Sequence, residues 1–301
     1  MTVPEAGRGT TVRPPPRFLR TRGLDDYALI DAGGGRKLER FGAVTLNRPE
    51  EQALFRPRVS EETWDAAGAT FDGKADEDGV GRWRRRDGLP ESWVCRHGPV
   101  RFACRFTSFR HVGAFPEQAA HWAYMRDRLA GAAGAPELLN LFAYTGIASL
   151  IAADAGATVT HVDASRTAVA WAKENQFLSE MEDRPIRWIV DDAMKFAARE
   201  VRRRRRYDGI LLDPPKFGRG PKNEIWRLFD DLPRMLALCR DLMKPDGFIV
   251  LTAYAIRASF VALDELVTDV FGPGAEAGEL VLESESGRAL STSLYCRWPA
   301  A

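Results

Sequence analysis

Four aspartates and an asparagine stand at or near the ends of short apolar runs: Asn140, Asp163, Asp191, Asp192 and Asp213. Runs such as Leu138-Leu139-Asn-Leu141-Phe142 and Ile210-Leu-Leu212 read as strands buried on both faces. In open α/β sheets ligands bind beyond the carboxyl ends of the strands, so these five side chains should converge on one rim. Asp163 lies 17 residues beyond Gly146 (163 − 146), about where a carboxylate reaches ribose hydroxyls in nucleotide-binding units. Ser165 is the better-placed cap for the helix that follows. Asp192 can accept from an adenine amino group or cap the helix at 193–202, and the two roles are compatible.

The first rim loop narrows the ligand. Phe142-Ala143-Tyr144-Thr145-Gly146 carries one glycine, where a dinucleotide fold needs G-x-G-x-x-G to approach a pyrophosphate. No G-x-x-x-x-G-K-[ST] element occurs either, which disfavours a nucleoside triphosphate. An adenosine cofactor without a phosphate chain remains, and S-adenosylmethionine fits that description. Farther on, Asp213 is followed by Pro214, Pro215, Lys216 and Phe217. Two prolines fix φ and remove two N–H donors, which makes a rigid, carbonyl-rich lip where the cofactor's reactive end should lie.

The elements that must position these groups follow from the hydrophobic rhythm. Strand patterns at 137–142, 158–163, 186–190, 208–213, 247–253, 279–284 and 291–298 alternate, through the first six, with helical ones at 146–155, 165–179, 192–202, 224–242 and 256–271. That is the signature of an α/β, doubly wound, seven-stranded and mostly parallel sheet. The last two strands are too close for a crossover helix and should pair antiparallel. A helix led by Pro116 precedes the first strand. Residues 17–112 suggest a smaller β-rich N-terminal domain. Hairpins are expected where Tyr27–Ile30 and Ala43–Leu46 flank Gly33–Gly35, and where 92–95 and 100–106 flank His97-Gly98-Pro99. Residues 60–90, with Asp72, Asp76 and Asp78, read as loop and excursion, and residues 1–16 as a flexible tail. The third unit is then 113–301.

Bulk composition excludes little. The 43 Lys and Arg against 42 Asp and Glu give a net charge of +1, so any nucleic-acid footprint must be local. Four scattered cysteines without a CxxC pair argue against a disulfide framework or a structural metal and fit a reducing cytoplasm. No stretch approaches the roughly 20 apolar residues of a membrane span.

Taken together, Asn140–Gly146, Val190-Asp-Asp-Ala-Met-Lys195 and Leu212-Asp-Pro-Pro-Lys-Phe217 resemble the matching segments of class I S-adenosylmethionine-dependent methyltransferases. They are most similar to the bacterial 23S ribosomal RNA methyltransferases that modify cytosine C5 or guanine. The resemblance spans about 112 to 298. It implies that Phe142, Ala143, Tyr144, Thr145 and Gly146 hold the methionine part, that Asp163 with Ala164 holds the ribose, and that Asp192 with Ala193 holds the adenine. Asp213 would lie near the amino group and sulfonium. Gly113–Gln118 resembles the segment that closes over the cofactor, implying a contact from Gln118.

One departure bears on the acceptor. Cytosine-C5 members of the group carry a nucleophilic cysteine after the fifth strand, because C5 is inert until a thiolate adds to C6. Here that place reads Leu251-Thr-Ala-Tyr-Ala-Ile256, and the residue after Pro-Pro is Lys216. A nitrogen acceptor is the better expectation, with Lys216 and Phe217 as candidates to orient it and stack on it. Arg82, Arg84, Arg85 and Arg86, interleaved with Trp83, are candidate phosphate contacts, ahead of the Arg202–Arg206 run. The leading expectation is methyl transfer to RNA, ribosomal RNA foremost. The alternatives are a protein or small-molecule acceptor, and a non-catalytic RNA-binding protein that retains the cofactor fold.

Overall fold

The computed structural model describes residues 15–73, 80–132, 134–254 and 258–299. Most of the expected tail, Asp76, Asp78, and the expected start of the last helix at 256 lie outside them. Among the described residues the chain begins with β1 (Arg17–Thr21), β2 (Tyr27–Gly33), β3 (Arg36–Phe41), β4 (Val44–Pro49), α1 (Glu61–Asp65), β5 (Ala69–Gly73) and β6 (Gly81–Arg85). The hairpin β7 (Ser92–His97) and β8 (Val100–Arg105), a 3-10 turn at Pro116–Gln118 and α2 (Ala119–Ala130) follow. Strand and helix then alternate through β9 (Glu137–Leu141), α3 (Ile147–Asp154), β10 (Thr158–Asp163), α4 (Arg166–Leu178), β11 (Ile186–Val190), α5 (Ala193–Arg202) and β12 (Tyr207–Leu212). The remainder is β13 (Phe217–Arg219), β14 (Ile225–Arg227), α6 (Leu228–Leu242), β15 (Met243–Tyr254), α7 (Phe260–Phe271), β16 (Glu276–Glu283) and β17 (Ala289–Trp298).

The central sheet has the order β1-β16-β17-β15-β12-β9-β10-β11. Only β17 runs against its neighbours, pairing antiparallel with both β15 and β16, as the short link between the last two strands requires. The sheet has one strand more than the expected seven. Arg17–Thr21, read from sequence as part of the N-terminal unit, adds to its edge by pairing parallel with Gly278–Leu282. Helices cover both faces. Leu138, Leu150 and Val159 point to one core, which continues into Phe41, Leu46 and Phe102 of the N-terminal strands, while Leu139, Phe196, Leu212 and Met235 fill the other.

Three sequence expectations need correction. The helix expected from 224 begins at Leu228, because Ile225–Arg227 pairs with Phe217–Arg219 as a small hairpin. The described parts of 60–90, residues 60–73 and 80–90, are more ordered than a loop: β5 and β6 complete a five-stranded sheet, and Ala69 and Phe71 are fully buried. Tyr27–Ile30 and Ala43–Leu46 do not form a simple hairpin either. Strand β3, Arg36-Lys-Leu-Glu-Arg-Phe41, runs antiparallel between them. Its charges conceal it, since apolar alternation is the usual strand signal.

Two of those charges, Lys37 and Glu39, are buried in a shared cluster. The Tyr27 hydroxyl donates to Glu39 Oε1 at 2.7 Å, Arg48 Nη2 donates to the same oxygen at 3.0 Å, and Lys37 Nζ lies 3.3 Å from Glu50 Oε2. Burial alone would raise the Glu39 carboxyl, but Arg48 and then Lys37 pull it from its ordinary 4.5 down to about 2. A depressed folded value means that this contribution to stability is present above pH 4.5 and is lost as the pH falls toward about 2. Denaturant unfolding followed across that range should show the loss. Glu39→Gln should cost about 3–5 kcal/mol at neutral pH, because it leaves buried cations uncompensated, and should flatten the acid dependence. An unchanged acid profile in this variant would reject the role of Glu39.

Candidate active site

The loop after β9 takes an unusual backbone path, with positive φ at Phe142, Tyr144 and Gly146. Gly146 needs its missing side chain twice over: φ is +77°, and a Cβ would sit 2.8 Å from that of Ala172. The path turns the Tyr144 N–H toward Asp163, whose Oδ2 accepts it at 2.8 Å while Oδ1 accepts the Ser165 N–H at 2.8 Å. Burial raises the Asp163 carboxyl, against the pull of those two bonds. Asp163 thus ties the end of β10 to the loop after β9. Thr145 fixes the loop from behind, donating to the Gly113 carbonyl at 2.7 Å, and Asn175 donates to the Thr145 carbonyl at 2.9 Å.

A cleft of about 640 Å³ opens over this rim. Gln118, Phe142, Tyr144, Asp163, Ala164, Asp192, Ala193, Asp213 and Pro215 line it. Asn140, Ala143, Thr145 and Gly146 border a smaller recess of about 70 Å³ that shares Gln118, Phe142, Tyr144 and Asp213 with the cleft. Asn140 also donates to Ser149 Oγ at 3.0 Å, which in turn meets His161 Nδ1 at 3.1 Å. Asp192 caps α5, accepting from the Lys195 N–H at 2.9 Å, and still faces the cleft. Gln118 Nε2 donates to Asp213 Oδ2 at 3.0 Å and joins the turn before α2 to the end of β12.

Other candidates lie elsewhere. Pro214, Lys216 and Phe217 border neither cavity; the Lys216 carbonyl accepts from the Leu228 N–H, and Phe217 opens β13 with a part-exposed ring. The Pro215 carbonyl, expected as an acceptor on the lip, is engaged by the Trp226 indole N–H at 2.7 Å. Arg82, Arg84 and Arg85 on β6, and Arg86 just after it, are exposed and outside the cleft. The Arg202–Arg206 run packs at the far rim, where Arg205 pairs with Glu137 at the start of β9 and Arg203 with Glu200.

Several cleft residues carry no signal in the sequence. Trp226 lies in a segment that reads as helix, and Trp171 reads as an apolar position of α4. His111 and Glu117 come from one stretch and Tyr254 from another about 140 residues later, and only folding brings them to one cleft. The neighbouring Gln118 and the missing cysteine after β15 are the two features that could have drawn attention to Glu117 and Tyr254.

A family model described as S-adenosylmethionine-dependent methyltransferase matches residues 62–270. A solved structure, the SAM-dependent methyltransferase from Agrobacterium tumefaciens, is 49% identical and superimposes with a TM-score of 0.90 over 95% of this chain and 94% of that one. The fold is also that of SMU.776, a methyltransferase complexed with SAH: TM-score 0.68, 17% identity, 92% of this chain and 76% of the other. Among curated proteins, the ribosomal RNA large subunit methyltransferase K/L of Shewanella sp. (strain MR-4) is 29% identical over 78% of this chain and 35% of its own length. The protein of the same name from Syntrophotalea carbinolica is matched at 31% identity over 62% of this chain and 26% of its own length. The chain therefore spans about a quarter to a third of those relatives.

The cofactor is S-adenosylmethionine, which supplies an electrophilic methyl group on a positively charged sulfur. The cleft suits it: the volume is within the usual range for small-ligand sites, and carboxylates stand at Asp163 and Asp213. Asp163→Ala removes an acceptor and releases the Tyr144 N–H together. It is expected to weaken cofactor binding about 10- to 150-fold, the equivalent of roughly 1.5–3 kcal/mol for a bond to a charged group. Calorimetric titration measures this, and unchanged affinity would reject the role. With the rim loop, the strand-end carboxylates and a family match extending over most of its length, the chain belongs to the S-adenosylmethionine-dependent methyltransferases.

Proposed function

We propose that this chain transfers the methyl group to RNA, ribosomal RNA foremost, and to a nitrogen rather than to cytosine C5. The RNA part leans on the curated relatives named as ribosomal RNA methyltransferases, of which the chain spans only a part. The nitrogen part is carried by one observation: no cysteine lines the cleft. All four are buried, and burial pushes the Cys239 thiol up to about 12 and raises Cys104 and Cys296 as well. Tyr254 stands at the end of β15, near where a C5 enzyme would present its thiolate. A nitrogen needs no covalent activation, only placement in line with the methyl group and a route for its proton.

Two further features favour a nucleic acid. Phe109, Phe115, Phe142, Tyr144, Trp171 and Trp226 line the cleft, and a base taken out of its stack needs such aromatic surfaces. The N-terminal sheet supports part of that wall: the Gly81 N–H donates to the Ser108 carbonyl at 2.9 Å and the Trp83 indole to the Phe109 carbonyl at 3.0 Å. The same strand, β6, therefore carries exposed Arg82, Arg84 and Arg85, with Arg86 just beyond its end, close to the cleft wall. Arg84 pairs with Asp72, and Arg85 lies over the Phe106 ring at 5.3 Å. The Arg84–Asp72 pair is at the surface, where such a bridge contributes little. No helix among the described residues is long and apolar enough to cross a membrane.

Mass-spectrometric comparison of RNA nucleosides from cells with and without the gene should show one N-methylated nucleoside missing in the latter. Loss of 5-methylcytidine instead would overturn the nitrogen acceptor, and unchanged RNA with an altered protein or small-molecule methyl pattern would overturn RNA. Replacing Arg84, Arg85 and Arg86 with Ala should lower the slope of log affinity against log salt by about 0.7–0.9 for each phosphate left without its cation. An unchanged slope would mean that these side chains are only solvated.

A further inference from the structure

The 3-10 turn at Pro116–Gln118 carries two adjacent polar side chains with different surroundings. Gln118 reaches Asp213, at the end of β12. Glu117 also lines the cleft, yet is only 3% exposed, and no side chain among the described residues donates a hydrogen bond to its carboxyl. Its own backbone N–H donates to the carboxyl and favours the charged form, against the effect of burial. The charged and titratable groups around it are Tyr27, Lys37, Glu39, Arg48 and Tyr254. The two cations are already taken: Arg48 is bonded to Glu39, and Lys37 lies 3.3 Å from Glu50. Burial raises the Glu117 carboxyl, with Lys37 the strongest opposing influence. On the same wall His111 packs on Phe115 with ring centroids 4.8 Å apart, and Phe115 on Tyr144 at 5.6 Å, so flat surfaces border the place this carboxyl faces.

We propose that Glu117 is a catalytic residue that binds the N–H of the methyl-accepting nitrogen and takes its proton. This rests on the reading of the chain as an RNA methyltransferase and identifies the acceptor class: an amino or ring N–H on the edge of an unstacked base. The acceptor nitrogen's lone pair forms the bond to the methyl carbon as the carbon–sulfur bond breaks, and that bond's electron pair stays on sulfur. The proton that the methylated nitrogen releases passes to Glu117 and then to water. Gln118, through Asp213, keeps the same turn in register with the cofactor end of the cleft, so one short segment positions both reactants. A carboxyl raised by burial is a stronger base than an ordinary one. The sign for pH follows: Glu117 is protonated at low pH, so turnover falls as the pH drops through its folded value, which burial raises from the ordinary 4.5.

The test uses the full chain, tritiated S-adenosylmethionine and total RNA from cells lacking the gene, in single turnover across a pH series. Glu117→Gln should transfer methyl roughly 10²–10⁴-fold more slowly, lose the acid limb of the profile, and bind cofactor in a calorimetric titration as the parent does. Glu117→Asp, which keeps the carboxylate, should recover part of the rate and the acid limb. Cofactor binding in both variants shows that they are folded. Wild-type rates in Glu117→Gln, or a slow variant with the acid limb intact, would overturn the assignment. If the parent labels protein in an extract rather than RNA, the RNA reading fails, and the same rate ratio on that protein then decides for or against Glu117.

Discussion

The constraint on which the cleft depends is a cluster of charges removed from water beneath it. Lys37, Glu39 and Arg48 of the N-terminal sheet meet Glu50 and Arg110, and Arg110 bonds Tyr254 at the end of β15. Each buried ion carries a desolvation penalty of several kcal/mol that only good geometry offsets. The Arg110 guanidinium is correspondingly tied down: it donates to the Pro49 carbonyl at 2.9 Å and lies over the Tyr254 ring, while Arg48 donates to the Arg110 carbonyl at 2.9 Å. Moving the N-terminal strands would expose or unpair several of these groups at once. The segment from Thr107 to Glu117 is therefore held as a fixed wall of the cleft.

The opposite wall depends on backbone conformation more than on charge. Three positive-φ residues in the loop after β9 bring its N–H groups round to the rim, and the Asp163 carboxylate holds one of them. Such strain persists only where neighbours over-determine it. Here the neighbours are Gly113 through Thr145, Asn175 through the Thr145 carbonyl, and the Ala172 and Trp188 side chains packed under Gly146. Because Gly113 lies in the segment that crosses from the N-terminal sheet, the two walls are linked through Thr145. The hydrophobic core agrees with this: Phe41 and Phe102 from one part and Leu138 and Leu150 from the other share one cluster.

Between the walls the polar groups come from both parts of the chain. Asp163 and Asp192 stand beyond β10 and β11, Asp213 and Gln118 meet at the centre, and Glu117, His111 and Tyr254 form the side toward the N-terminal sheet. The cleft thus takes residues both from the strand ends and from the segment that the N-terminal sheet supports. The β13–β14 hairpin completes the enclosure, with Trp226 bonded to Pro215 and packed on Phe142 at 4.9 Å.

Much of the sheet was legible because the parallel strands are buried on both faces and announce themselves as apolar runs ending in polar residues. The single glycine at 146 and the Asp-Pro-Pro at 213–215 likewise express local backbone requirements, and these are properties a linear sequence carries. Strand β3 was not legible, because its charged residues are compensated by partners on β4 and beyond, and such pairing has no linear pattern. The same holds for the edge strand at Arg17–Thr21, whose partner is about 260 residues away. The sequence by itself determined the order of the strands' chemistry and the class of cofactor. Only the tertiary structure decided which further side chains share the cleft, because Glu117, His111, Trp226 and Tyr254 reach one cavity through packing and buried ion pairs, and those depend on distances in space.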